Sequence, residues 1–224
     1  MPDTDFAIPP EWTFNSSDVA VHFDTHVREQ LPWYDMVSDM VGLIARHYVE
    51  TDGLVYDIGC STGNLSRTLS ALVDNRRVTL VGIDNSPAMR DVYPGGVFRL
   101  ADAVEFDYEP FDLAVCFLVL QFIPNARRRL LLDKLAAKVK PDGAVIIVDK
   151  YSGTDDSSYL QTIKRRITLQ GKVLSGTPAD AVIAKELSLS GVQRPVDPVE
   201  LFSGRKAVEF FRFGEFAGWI IEGR

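Results

Sequence analysis

Residues 55 to 63 read Val55-Tyr56-Asp57-Ile58-Gly59-Cys60-Ser61-Thr62-Gly63, and Asn64 follows. An apolar, β-prone run carrying one acid gives way to a loop hinged on two glycines, and a helix opens at Asn64. A strand that passes through a glycine turn into a helix is the first unit of a doubly wound α/β sheet. Neither Gly59 nor Gly63 carries a Cβ, so the backbone can turn sharply there and approach a ligand closely. The spacing is not the Gly-x-Gly-x-x-Gly of dinucleotide loops, because Cys60, Ser61 and Thr62 separate the two glycines. A pyrophosphate cradle is therefore disfavoured. Asp57 at the strand tip would repel a phosphate and attract a cationic group such as an amino-acid ammonium.

A second apolar strand, Val78 to Ile83, ends in Asp84 and is followed by Asn85-Ser86-Pro87-Ala88-Met89. A carboxylate at a strand end roughly 20 residues past a glycine loop is placed to accept both hydroxyls of a ribose. Ser86 reads as a helix N-cap and Pro87 as the first helical residue, which fixes the geometry after Asp84. An acid for an ammonium and an acid for a ribose, with no phosphate cradle, fit S-adenosylmethionine, whose ammonium and sulfonium match the charge.

The rest of the chain alternates strand and helix, the pattern of a mostly parallel sheet covered on both faces. Strands are predicted at 54–58, 78–83, 97–100, 113–118, 144–149, 208–213 and 216–221. Helices are predicted from Ser17 to Gln30, capped by Ser16-Ser17 and stopped by Pro32, from Tyr34 to Tyr48, and from Arg127 to Lys140 before Pro141-Asp142-Gly143. In the last of these, Leu130, Leu131, Leu135 and Val139 form a stripe expected in the core. Residues 157–186 read as a helical cap broken at Gly171, Gly176 and Pro178, inserted before the final hairpin. The expected fold is a Rossmann-like doubly wound, seven-stranded, mostly parallel sheet with this cap before the last two strands. The expected organisation is one domain over 1–224: N-terminal helices 12–50, donor-binding core 54–150, cap 155–205 and C-terminal hairpin 206–222.

Composition agrees with an enzyme of this size. The chain has 224 residues, 46% of them hydrophobic, and a mean hydropathy of +0.01, so a buried core is feasible without a membrane-spanning run. Met1-Pro2-Asp3-Thr4-Asp5 lacks the basic and apolar regions of a secretory signal, and Cys60 and Cys116 suit a reducing compartment. A cytoplasmic location is expected. The net charge of −7 opposes nonspecific binding to nucleic acid and favours a small-molecule acceptor, although tRNA is not excluded. The basic runs Arg127-Arg128-Arg129 and Lys164-Arg165-Arg166 read as solvated helix faces, with an anionic substrate as the functional alternative. His22 and His26, four apart on one helix, lack a third ligand of suitable spacing, so no metal is expected and they stand as candidate general bases.

The sequence resembles the class I S-adenosylmethionine-dependent methyltransferases, and more narrowly the carboxy-S-adenosylmethionine synthases of the tRNA uridine modification pathway. The likeness runs through Leu31-Pro32-Trp33-Tyr34, the Val55 to Ser61 loop, Ile83 to Met89, Leu120-Gln121-Phe122, Leu131-Leu132-Asp133-Lys134 and Pro141-Asp142-Gly143-Ala144, and fades beyond Tyr159. It implies that Gly59, Ser61 and Gly63, with Asp57 and Cys60, hold the amino-acid end of the donor, with Asn85 beside Asp84 at the ribose. Asp102, next to Ala103, would accept from the adenine amino group; Tyr34 would lie over the donor and Phe117 under its sulfonium. S-adenosyl-L-methionine would be the cofactor and S-adenosyl-L-homocysteine the product.

The simplest expectation is methyl transfer by in-line attack of an acceptor, with carboxy-S-adenosylmethionine synthesis from prephenate and a non-catalytic donor-binding protein as alternatives. Two departures favour the first. Where the family has a Lys-Arg pair whose arginine binds the donor's carboxylate, the alignment gives Lys185-Glu186, and a glutamate there would repel that carboxylate. Where it has an asparagine before Leu-Gln-Phe, this chain has Phe117. The resemblance also implies a homodimer, as does the aromatic content of Phe202, Phe210, Phe211, Phe213 and Trp219.

Overall fold

Successive residues of a strand face opposite sides of a sheet, so Val55 and Asp57 share one face of strand β1 (Leu54–Ile58) while Tyr56 and Ile58 share the other. The computed structural model describes residues 14–94, 96–152, 158–189 and 192–223; the acidic segment Met1 to Asp5 and the start of the cap at 155 lie outside them. The elements run α1 (Ser17–Gln30), α2 (Tyr34–Tyr48), β1, α3 (Asn64–Thr68), α4 (Ser70–Arg76), β2 (Thr79–Asp84), α5 (Pro87–Val92), β3 (Val97–Leu100), β4 (Phe111–Phe117), α6 (Asn125–Lys138), β5 (Val139–Lys150), α7 (Ser158–Leu174), α8 (Ala179–Leu189), α9 (Pro198–Leu201), β6 (Val208–Phe213) and β7 (Phe216–Glu222).

The seven strands form one sheet in the order β3-β2-β1-β4-β5-β7-β6, parallel from β3 through β5, with β7 antiparallel to β5 and β6 antiparallel to β7. The chain reverses its direction of travel across the sheet between β1 and β4, which opens a crevice beyond their carboxyl ends. One face carries Tyr56, Ile58, Ile83 and Phe111 against Leu131, Leu132 and Leu135 of α6. The other packs Val55, Leu113 and Ile146 against Val37, Val41 and Ala45 of α2. Asp57 lies on this second face, which is why it is buried.

Several boundaries differ from expectation. Helix α6 ends at Lys138 and β5 begins at Val139, because Val139 pairs with Phe111 across a register shift. Its buried stripe uses Leu132, while Leu130 is 55% exposed. Gly171 does not break the cap. Helix α7 runs through it because a Cβ there would lie 3.0 Å from the Phe213 ring, so the missing side chain lets α7 settle on the hairpin. The aromatics expected to need a partner chain are mostly covered within this one: Phe202, Phe211 and Trp219 are buried, and Trp33 packs on Phe211 and Phe216 at 5.1 and 5.0 Å between centroids.

Candidate active site

The glycine loop is held to the end of β2 by its own amides. Gly59 (φ +65°) and Cys60 donate to the Ile83 carbonyl at 2.7 and 3.1 Å, and Ser61 (φ +47°) donates to Asp84 Oδ2 at 2.9 Å. These N–H groups are committed to the protein, which removes the cradle that a phosphate needs. The glycines also serve packing. A Cβ on Gly59 would lie 2.5 Å from Val119, and one on Gly63 would lie 2.4 Å from Pro94. Gly63 takes the left-handed conformation as the N-cap of α3 (φ +77°), and the cavity is lined by its neighbours Thr62 and Asn64.

A cavity of about 290 Å³ opens beyond these strand ends. Tyr34, Asp57, Gly59, Cys60, Ser61, Asp84, Asn85, Asp102, Ala103, Phe117 and His26 all line it, so the structure brings together every expected site residue except Gly63 and His22. His22 is exposed, with Nδ1 at 2.9 Å from the Asp18 carbonyl oxygen, and stands apart from the residues that line the cavity. Asp57 Oδ2 is buried and has no hydrogen-bond partner among the described residues. Burial, then the neighbouring Asp84, pushes its carboxyl up to about 8. An acceptor left unmatched at depth is costly unless a ligand fills it, and an ammonium is the group that suits it. The donor therefore fits the residues present.

Asp84 performs two tasks. Its Oδ2 takes the Ser61 amide and its Oδ1 the Ser86 amide at 2.9 Å, leaving second lone pairs for a ribose; burial raises its carboxyl against those hydrogen bonds. Asp102 is held by Arg127 Nη1 at 2.8 Å and by the Val104 amide. Against its partial burial, those donors keep its carboxyl below the usual range. Tyr34 and Phe117 meet edge to face at 5.3 Å. Just past Phe117, Leu118 adopts φ +59°, a strained conformation of the kind that gathers at functional sites, while Leu120 and Gln121 donate to the buried Asp149.

Helix α1 closes one side. Asp24 accepts from the Thr62 hydroxyl at 2.8 Å and pairs with Arg67 and Arg28, and Arg28 donates to Asn64 Oδ1 at 2.9 Å. The cap closes the other side and contributes residues whose roles the pattern did not reveal. Lys172, Lys185 and Glu186 line the cavity with His26 and Gln30. Glu186 is not an isolated anion facing the donor. It pairs with Lys172 and lies 3.5 Å from Lys150 and 3.6 Å from Arg165. Against the desolvation of burial, Lys172 and Lys150 hold its carboxyl low. The repulsion expected of it is therefore screened by cations of its own.

The basic runs are only partly solvated faces: Arg129, Arg165 and Arg166 are exposed, while other members are engaged within the protein. Arg127 pairs with Asp102 and Glu105. Arg128 is buried and donates to the carbonyls of Ile123, Pro195 and Arg194, and Arg165 reaches Glu186 and Glu215. Among the described residues no group of three His, Cys, Asp or Glu side chains could hold a metal, and no helix is long and apolar enough to cross a membrane.

Comparison with known proteins agrees with this geometry. Residues 55–143 match the Methyltransferase domain family. The carboxy-S-adenosyl-L-methionine synthase of Staphylococcus epidermidis is 30% identical over 95% of this chain and 93% of its own length, and that of Salmonella arizonae is 31% identical over 68% of this chain and 67% of its own. Among solved structures, the DhpI-SAM-HEP complex superposes with a TM-score of 0.59 at 17% identity, covering 92% of each chain. Human N-acetylserotonin methyltransferase in complex with SAM gives 0.60 at 14% identity over 94% of this chain and 58% of that enzyme. These last two show the shared fold. The chain belongs to the class I S-adenosylmethionine-dependent methyltransferase superfamily, in the family that includes the carboxy-S-adenosyl-L-methionine synthases. It is a transferase by class, and its cofactor is S-adenosyl-L-methionine.

Proposed function

We propose that the protein transfers the methyl group of S-adenosyl-L-methionine to a small-molecule acceptor, releasing S-adenosyl-L-homocysteine. The observation that carries this reading is the continuity of one cavity. The unmatched Asp57 Oδ2 and the Asp84 carboxylate line its donor end, and Gln30, Lys185 and aromatic side chains line the part covered by α1 and the cap. Asp57 takes the ammonium, Asp84 the ribose hydroxyls and Asp102 the adenine amine, with Tyr34 and Phe117 bracketing the sulfonium. Reaction then needs an acceptor held in line with the methyl carbon, and the rate comes from proximity and alignment. Phe117 supports unmodified donor, since it offers no polar contact to a group carried on sulfur.

The second reading is carboxy-S-adenosylmethionine synthesis, with prephenate supplying the carboxyl group. It is favoured by the names of the relatives and by the cations Lys172 and Lys185 beside the cavity. Mass spectrometry of ligand released from purified protein separates the two, before and after incubation with donor and prephenate. Unmodified donor or its demethylated product is the expected result, and recovery of the carboxylated donor would establish the second reading instead.

A homodimer in the cytoplasm is part of the proposal, on a different surface from the buried aromatics. The cap exposes Leu174, Ile183 and Leu187 at 78, 59 and 70%, apolar side chains that a second copy could cover.

A further inference from the structure

At its cap end the cavity is lined by His26 and Gln30 of α1, Lys172 of α7, and Lys185 and Glu186 of α8. Lys172 is matched by Glu186. Lys185 instead meets a ring nitrogen, with its Nζ on His26 Nε2 and only 6% of the residue exposed. Burial, then Lys185 and Lys172, pushes His26 down to about 3, so the imidazole is neutral. Among the described residues, the charged groups acting on Lys185 are Lys172 of α7, Glu186 of its own helix and Glu29 of α1. Burial first, then Lys172, brings its ammonium down to about 7 against the two glutamates. A lysine in this state exchanges a proton near neutrality.

Two further observations bear on what meets it. Gln30 Oε1 and Gln121 Oε1 are buried without hydrogen-bond partners among the described residues, and both residues line the cavity; acceptors in this condition call for an O–H or N–H from a ligand. The charge nearby selects between those. Lys172, Lys150 and Arg165 gather on Glu186 and Glu215, three cations to two anions, and Lys185 adds a further amine, a balance that disfavours a protonated amine and favours an oxyanion. Walls formed by Phe14, Phe23, Phe117 and Phe122 suit a flat, apolar ligand.

We infer that Lys185 is the general base of this site and that the acceptor presents an acidic hydroxyl of the phenol or enol class. The inference rests on the methyl-transfer reading above. The O–H bond breaks with its proton passing to Lys185 Nζ, and the oxygen forms its new bond to the methyl carbon. The carbon–sulfur bond breaks with its electron pair left on sulfur as a neutral thioether. Lys185 returns the proton to solvent, His26 holding the amine in place between turnovers. Gln30 and Gln121 orient further hydroxyls of the acceptor.

The experiment uses 4-nitrophenol, whose ionised form absorbs visible light, added to the full chain saturated with S-adenosyl-L-homocysteine. Bound probe should ionise at a pH about one unit below the free probe, a tenfold rise in its acid dissociation constant. Lys185→Met should abolish that shift while leaving S-adenosyl-L-homocysteine affinity, measured by calorimetry, unchanged. In the wild type, ionisation of the bound probe should release no proton to the buffer because Lys185 takes it, whereas Lys185→Arg, a fixed cation that cannot accept a proton, should release it. No binding of the probe, an unshifted spectrum in the wild type, or the same shift in Lys185→Met overturns the assignment of Lys185. Failure of S-adenosyl-L-homocysteine itself to bind overturns the methyl-transfer reading instead, so the two failures are distinguishable.

Discussion

Asp84 Oδ2 accepts a hydrogen bond from the Ser61 amide at 2.9 Å. The residue expected to bind the ribose therefore also fastens the glycine loop to the end of β2, and through Oδ1 it fastens Ser86 at the start of α5. Truncation would confound the two roles, so Asp84→Asn is the informative variant. It keeps one carbonyl oxygen and loses the charge. Donor affinity should fall by about 2 kcal/mol, roughly thirtyfold, with the protein still folded. Calorimetry with S-adenosyl-L-methionine checks this, and unchanged affinity in a folded variant would remove Asp84 from the ribose site.

Asp57 gives a pH signature. With its carboxyl pushed up to about 8 by burial and by Asp84, the empty site is protonated at pH 7. An incoming ammonium needs the carboxylate, so donor binding at pH 7 should release a proton and affinity should rise with pH up to about 8. Titrations at pH 7 in two buffers of different ionisation enthalpy should give different apparent heats; identical heats would contradict the assignment.

The same shift bears on stability. A carboxyl whose folded value lies above its unfolded one contributes stability at low pH, and that contribution falls as pH rises from the ordinary carboxylate range to about 8. Above pH 8 the ionised, buried Asp57 is a net cost. Asp57→Asn should accordingly raise the melting temperature at pH 9, each 1 kcal/mol being worth about 2–4 °C for a chain of this size, and should abolish donor binding. A lower melting temperature at pH 9 would contradict this.

Glu186 is the anion on which Lys172, Lys150 and Arg165 converge. Removing it in Glu186→Gln takes from the buried Lys172 its ion-pair partner and leaves Glu215, 4.0 Å from Lys150, as the anion that remains beside the two lysines. The expected loss is about 3–5 kcal/mol, seen as a melting temperature lower by roughly 10 °C. A change of a degree or two would mean that the cap does not depend on this ion pair.

Asp24 ties α1 to the glycine loop through Thr62 and Arg67. Asp24→Ala should loosen that cover and speed donor release by roughly three- to tenfold, about 1 kcal/mol, with little effect on the melting temperature. Stopped-flow displacement of bound donor measures it, and an unchanged release rate would show that α1 does not gate the cavity.

The exposed cap surface gives the oligomer test. Leu174→Arg with Leu187→Arg should shift a dimer toward a mass near 24.9 kDa in light scattering. A wild-type chain already monomeric at micromolar concentration would contradict the proposed dimer.

The sequence by itself determined the alternation of strands and helices and the residues proposed for the donor end of the site. Val55 to Gly63 and Val78 to Met89 are local patterns, in which strand periodicity, glycine turns and an N-cap act within a few residues of each other, so Asp57, Ser61 and Asp84 could be placed by position alone. Only the tertiary structure decided what lines the cap end of the cavity. Lys185 lies 159 residues from the His26 it touches, and Lys172 is 14 residues from the Glu186 that neutralises it. A charged residue in a helical pattern reads as solvated unless its partners from distant elements are known. Burial likewise separates His26 from His22: both stand on one helix four residues apart, and only the packing of the cap over α1 brings the first into the cavity and leaves the second in solvent.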